Sequence, residues 1–128
     1  MQNKKLIILS AILIVIFSFL SLIGYFTRDT SKENQISAIL KLNTLGNIKQ
    51  SDYTGLEITA LDLLKKYHIV NTTSSEYGEF VDCIDNICSN SNHYWMYYVN
   101  GNLSSVGAGL YQVKDKDIVE FVYEKPSF

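Results

Sequence analysis

Between residues 6 and 26 the chain has no charged side chain, only apolar residues, Ser10, Ser18, Ser21 and Gly24. A helix of about 20 such residues is what a bilayer core of ~30 Å requires, so this run is set apart from any soluble core. Lys4 and Lys5 stand immediately before it. Cationic residues are retained on the cytoplasmic side, which predicts a short cytoplasmic N-terminus over residues 1–5, a transmembrane signal anchor over 6–26, and everything after Arg28 outside. A cleaved secretory signal is the competing reading, but its apolar centre is usually shorter and ends in a small-x-small site. No Ala-x-Ala occurs here, and Leu22-Ile23-Gly24 is a poor substitute. Either reading gives an extracytoplasmic C-terminal part, and the anchor gives a single-pass protein of the cell membrane.

The chain beyond the anchor is long enough for one domain. From Asp29 onward it holds all 13 acidic residues against eight Lys, a formal balance of −5. Binding nucleic acid requires clustered Lys and Arg, so that partner class is excluded. Residues 27–35 are polar and read as a tether, and 125–128 as a tail.

Within 36–124 the pattern alternates between strand and turn. Residues 36–42 place Ile36, Ala38, Leu40 and Leu42 on one face at period two. Residues 43–55 carry few apolar side chains and read as a loop, with room for another short strand. Thr59 then opens the soluble helix, with Asp62 three positions on as in a capping box. Leu61, Leu64 and Tyr67 supply its buried stripe, and so short a helix must lie across a sheet to be stable. A short strand at 68–70 and a polar loop over 71–76 come next. Residues 118–124 alternate strictly, setting Val119, Phe121 and Tyr123 on one face, and Pro126 ends the strand.

The run Cys83-Ile84-Asp85-Asn86-Ile87-Cys88 is nearly symmetric about Asp85-Asn86, a pair that tolerates the left-handed conformation of a two-residue turn. In that register Ile84 faces Ile87 and Cys83 faces Cys88, close enough for a disulfide. An extracytoplasmic compartment permits the bridge.

Residues 94–101, Tyr-Trp-Met-Tyr-Tyr-Val-Asn-Gly, form the most conspicuous strand, holding the single Trp and ending at a turn dipeptide. Alternation puts Trp95, Tyr97 and Val99 on one face and Tyr94, Met96 and Tyr98 on the other. One set meets the helix. The other set, Tyr94, Met96 and Tyr98, is a flat platform able to bind a ring system, a sugar or a protein.

No nucleophile elbow, phosphate loop or spaced acid pair occurs, so no enzyme is expected, with no catalytic residue. His68 and His93 lack spaced ligand partners, so no metal site and no cofactor is expected. Asn71-Thr72-Thr73 and Asn102-Leu103-Ser104 fit the glycan acceptor pattern, making Asn71 and Asn102 candidate glycosylation sites.

The order of the helix at 59–65, Gly78-x-Phe-Val81, the Ile-Asp-Asn-Ile turn, the aromatic strand, Gly107-Ala108-Gly109 and Asp115-Lys116-Asp117-Ile118 resembles the transcobalamin C-terminal-like domain family. This is a β-grasp module of unknown function on microbial surface proteins. The resemblance covers 36–124 and implies an α+β fold, a β-grasp-like mixed sheet of four to five strands packed on one helix. The family's last turn usually reads Asp-Gly-Asp, and Lys116 replaces that Gly. In transcobalamin-type proteins the domain covers one face of a corrinoid held by a larger helical partner. The resemblance therefore implies Leu103, Val106 and Leu110 as ligand contacts and a corrinoid (cobalamin) as a candidate ligand. The expected function is a membrane-anchored extracytoplasmic binding module, with the membrane as one partner through 6–26 and a larger surface or corrinoid-binding protein as another. The alternative is a structural or adhesion module of the cell surface with no small-molecule ligand.

Overall fold

The computed structural model describes residues 2–26 and 34–127, which fall into an N-terminal unit and a second unit from Asn34 onward. The N-terminal unit is α1 (Gln2–Phe26), a 25-residue helix and thus about 38 Å long at 1.5 Å per residue. It is long and apolar enough to cross a membrane, and residues 7–20 are all exposed. The Ser10 and Ser18 hydroxyls each donate to the carbonyl three residues back, Ile7 and Val15, at 2.8 Å, so these polar groups are satisfied inside the helix as lipid demands. Of the expected tether, residues 27–33 lie outside the described residues, and Gln35 already belongs to the first strand.

The second unit runs β1 (Gln35–Thr44), β2 (Asn47–Leu56), α2 (Ala60–Tyr67), β3 (Val70–Ser75), β4 (Gly78–Ile84), β5 (Ile87–Cys88), β6 (Tyr94–Val99), β7 (Asn102–Leu103) and β8 (Ile118–Glu124). A five-stranded sheet has the order β2-β1-β8-β6-β7, and a three-stranded sheet has the order β3-β4-β5. The larger sheet is mixed, because β1 and β8 are parallel while its other pairs are antiparallel. Its inner face follows the predicted alternation: Leu40 lies beside Val119, Leu42 beside Phe121 and Trp95 beside Tyr123, and all six are buried. These side chains share one core with Leu61, Leu63 and Leu64 of α2 and Ile84 of the smaller sheet.

Thr59 caps α2, accepting the Asp62 amide at 3.1 Å and donating its hydroxyl to Asp62 Oδ2 at 2.8 Å. The helix buries Ala60 and Leu63 as well as the expected Leu61 and Leu64, whereas Tyr67 is exposed and donates its hydroxyl to the Asp52 carbonyl at 2.8 Å. Two expected loops are strands. The stretch 43–55 is the end of β1, a turn at Leu45-Gly46 with φ of 52° and 91°, and β2. The stretch 71–76 holds most of β3, and Val70 is the one member of the expected 68–70 strand that is extended in the sheet. Both β2 and β3 lie at sheet edges, where pairing is by backbone and few side chains face the core; Tyr53 is the one buried residue of β2. The second sheet itself goes beyond the single sheet expected.

The β4–β5 hairpin has the predicted register. Asp85 and Asn86 take φ of 48° and 67°, Ile84 pairs with Ile87, and Cys83 is disulfide-bonded to Cys88 across a Cα separation of 4.0 Å. The turn is fastened to the end of α2: Asp85 N–H donates to the Ile69 carbonyl at 2.8 Å, its carboxylate accepts the Ile69 amide, and its Oδ2 lies 2.7 Å from His68 Nδ1. Burial alone would raise the Asp85 carboxyl, but the bonds from His68 and the Ile69 amide outweigh it and hold it below the ordinary range.

Asp117 is the buried charged residue among those described, at 5% exposure. Its carboxylate accepts Asn100 Nδ2 at 2.8 Å, the Tyr111 hydroxyl at 2.7 Å and the Lys114 amide at 2.9 Å. Burial would push this carboxyl up, yet the three donors prevail and keep it low, while burial and the carboxylate push the Tyr111 hydroxyl up to about 12. The neighbouring Lys116 adopts φ of 69°, the left-handed conformation that glycine enters most readily.

A group whose folded pKa is depressed contributes stability that is complete above its unfolded value, near 3.8 for Asp117, and is lost as pH falls through the folded value. Urea midpoints should therefore be flat from neutral pH to about 5 and fall below about 4. Asp117→Asn should start about 1 to 3 kcal/mol lower and show a shallower acid decline, with Asp85 supplying the remainder.

Candidate functional site

Neither β4 nor β6 is fully paired. β5 covers β4 only at Cys83 and Ile84, and β7 covers β6 only at Tyr98 and Val99. The uncovered parts of the two edges bound a cavity of about 170 Å³, with Glu79 and Val81 on one side and Trp95 and Tyr97 on the other. A shallower depression of about 390 Å³ shares Phe80, Val81, Trp95 and Met96 and opens toward Thr73, Asp82, Tyr94 and Pro126. The two are parts of one slot between strands.

The β6 wall is rigid because aromatic rings and polar anchors fix it. Trp95 Nε1 donates to the Ile87 carbonyl at 2.8 Å, and its ring lies 5.1 Å from that of Tyr123. Tyr123 stacks on His93 at 5.4 Å and donates its hydroxyl to the Cys88 carbonyl at 2.8 Å, while Asn90 Nδ2 donates to that hydroxyl. The disulfide hairpin thus sets one end of the slot. Tyr97 stacks on Phe121 at 5.4 Å, donates its hydroxyl to the Val106 carbonyl and accepts Ser104 Oγ at 2.6 Å. Burial raises the Tyr97 hydroxyl, against the bond from Ser104. Residues 104–107 thereby close the other end. Gly107 lets the backbones approach closely there, since a Cβ would stand 3.1 Å from the Tyr77 carbonyl.

The rim is apolar and open to solvent. Tyr77, Phe80, Leu103 and Val106 line the cavity yet are between 45% and 72% exposed. Leu110, also exposed, stands against Gly78 at the adjoining end of β4. Monomeric domains rarely gather exposed apolar side chains in this way without a partner for them. The charged residues lining the slot are Glu79 and Asp82, and Lys65 Nζ approaches Glu79 at 3.9 Å.

Of the residues read from sequence, Leu103, Val106 and Met96 meet in the cavity, and Tyr94 and Met96 in the depression beside it. Tyr98 is elsewhere, its hydroxyl donating to the Glu124 carboxylate, which together with burial pushes it up to about 12. Asn71 and Asn102 are exposed, in β3 and β7. Sequence reasoning missed Tyr77, Phe80 and Val81, and it assigned Trp95 and Tyr97 wholly to the core. The signal for β4 was present in Phe80 and Val81, adjacent apolar residues that alternation cannot bury together. Among the described residues no three His, Cys, Asp or Glu side chains gather where a metal ion would sit.

The second unit is thus an α+β domain with a mixed sheet and one helix sharing a core, and with an apolar slot between two strand edges. The chain belongs to the family described as Domain of unknown function (DUF4430), which matches residues 58–125. No curated protein matches its sequence. Similar solved structures include a candidate metal-binding protein from Ruminococcus gnavus, with 16% identity and a TM-score of 0.65 over 72% of this chain and 99% of that one. Another is haptocorrin in complex with Cbi, with 20% identity and a TM-score of 0.68 over 77% of this chain. The chain spans about a quarter of haptocorrin, 27% of its length, and at these identities both likenesses are ones of fold.

Tyr97→Phe removes the hydroxyl that holds residues 104–107 against β6. It should speed hydrogen exchange at Ser104 and lower stability by about 1 kcal/mol, with the rest of the sheet unchanged.

Proposed function

We propose that this protein is a membrane-anchored binding module of the transcobalamin C-terminal-like type, held by residues 6–26 and exposing its domain outside the cytoplasm. The observation that carries the reading is the gathering of exposed Tyr77, Phe80, Leu103 and Val106 around one slot. Cavities of about 150 Å³ hold a single benzene ring, so a cavity of about 170 Å³ takes one ring or one side chain and not a macrocycle. A ligand as large as a corrinoid would meet this domain through the apolar rim alone, as a cap, with most of the ligand held by a larger partner. The fold shared with haptocorrin, a protein solved in complex with Cbi, supports that version. The second reading, a cell-surface interaction module with no small ligand, is favoured by the two incompletely paired strand edges that bound the slot. No catalytic role is proposed.

Titrating the full chain in detergent with cobalamin tests the cap. Binding that weakens about tenfold on Leu103→Ser is expected for a rim contact. No heat and no spectral change, alone or with a helical corrinoid-binding protein present, would remove the corrinoid from the reading. The compartment has its own test. Chain recovered from native membranes should resist alkylation of Cys83 and Cys88 until reduced, and two thiols labelled without reductant would place the domain on the reducing side.

A further inference from the structure

The slot is walled by aromatic rings, and its charge has one sign. Glu79 is the charged residue of the cavity lining, the depression beside it adds Asp82, and no Lys, Arg or His lines either space. The rings are of two kinds. Tyr97 stacks on Phe121 and Trp95 leans on Tyr123, so these belong to the core. Tyr77 and Phe80 lie against no other ring among the described residues and are 72% and 52% exposed, which leaves their electron-rich faces to meet a cation. The Glu79 carboxylate has Lys65 Nζ at 3.9 Å, with the two side chains 44% and 43% exposed. So loose a surface pair contributes little, and a better-placed cation can displace it. Gly109 keeps the space beside that carboxylate open, since a Cβ there would lie 3.8 Å from Glu79 Oε2. Meanwhile β4 and β6 approach within 8 Å between Cα atoms, so the cavity admits a group the size of a side chain and no second backbone.

We propose that the slot binds a small aryl-alkyl ammonium ion, its ring seated in the 170 Å³ cavity and its nitrogen set against the Glu79 carboxylate beside Tyr77 and Phe80. This rests on the slot being the binding surface and names a ligand class small enough to enter it. Volume selects the ring, because a cavity of about 150 Å³ holds one benzene ring. Sign selects the nitrogen. An aryl carboxylate of the same shape would meet Glu79 and Asp82 as like charges, with no cation in the lining to offset them. The formal balance of −5 from Asp29 onward acts in the same sense, since a negative domain concentrates cations near its surface. Ring and charge are both required: an ammonium without a ring leaves the apolar wall wet, and a ring without charge leaves Glu79 to Lys65.

The single Trp, Trp95, lines the cavity and reports on its contents, so the test follows intrinsic fluorescence of the full chain in nanodiscs. Titration with phenethylammonium should give a saturable change with a Kd of about 1 mM or below, as suits so few atoms. Ethylammonium, which lacks the ring, should bind at least about tenfold more weakly. The same loss is expected for 3-phenylpropionate, which carries the opposite charge. Glu79→Gln should weaken phenethylammonium at least about threefold and leave neutral benzyl alcohol unchanged. Should that variant fail to fold, Lys65→Met serves in its place: it removes the competing cation and should tighten phenethylammonium alone. Equal binding of phenethylammonium and 3-phenylpropionate, or the same affinity in the charge variant, would overturn the ammonium. Should no ring compound bind while Leu103→Ser still weakens cobalamin, the ammonium falls and the slot remains the binding surface. If neither phenethylammonium nor cobalamin responds to slot substitutions, the binding surface is itself misplaced and the ammonium falls with it.

Discussion

One buried carboxylate holds together parts of the chain that are far apart in sequence. Asp117 accepts donors from the Asn100 side chain, the Tyr111 hydroxyl and the Lys114 amide, and its carbonyl accepts the Ile39 amide at 2.9 Å. Around it, Asn100 Oδ1 accepts the Ile118 amide, Ser37 N–H donates to Asp115, and Lys116 N–H donates to the Ser37 carbonyl. The start of β1, the end of β6 and the start of β8 are thereby set in register at one corner of the sheet. Charge-assisted bonds in a dry site are stronger than neutral ones, and a carboxylate left there without donors would be costly, so the corner forms as a whole or not at all. The left-handed backbone at Lys116 is tolerated because this network over-determines it.

From that corner β6 runs beneath the slot. Open strand edges invite unwanted pairing, and proteins usually cover, charge or shorten them. Here β5 and β7 are each two residues long, and the loop 104–107 and Ser89 block the ends, leaving a guarded gap. Trp95 and Tyr97 serve both purposes: their rings pack on Tyr123 and Phe121, and their backbone faces the opening. The same two residues hold the core and line the opening.

The elements that bury a full face were legible in sequence. β1, β6 and β8 alternate because their inner positions meet α2, and the disulfide hairpin announced itself through the symmetry around Asp85-Asn86. The edge strands β2 and β3 were not legible. They contribute little to the core, so Gln50, Asp52, Asn71 and Thr73 carry no periodic signal, and backbone pairing leaves no mark on composition. The candidate site was half legible. Its loop residues Leu103 and Val106 were named, but the facing wall at Tyr77, Phe80 and Val81 depends on which two strands become neighbours without pairing, which is a tertiary fact. Asp117 was unremarkable in a charged turn, and only the convergence of Asn100 and Tyr111 distinguishes it.

The parallel pairing of β1 with β8 has a consequence for how the domain comes into being. The first and last strands lie side by side at the centre of the larger sheet, so its core stays open until the final strand is present. Contacts of such long sequence separation form slowly, because the loop between them must close first. If the chain emerges across a membrane from its anchored end, β1 waits exposed until nearly all the rest of the domain has been made. During that interval the β4–β5 hairpin, which is wholly local, can close and oxidise by itself. Its disulfide would then fix one end of the slot before the sheet that completes it has assembled.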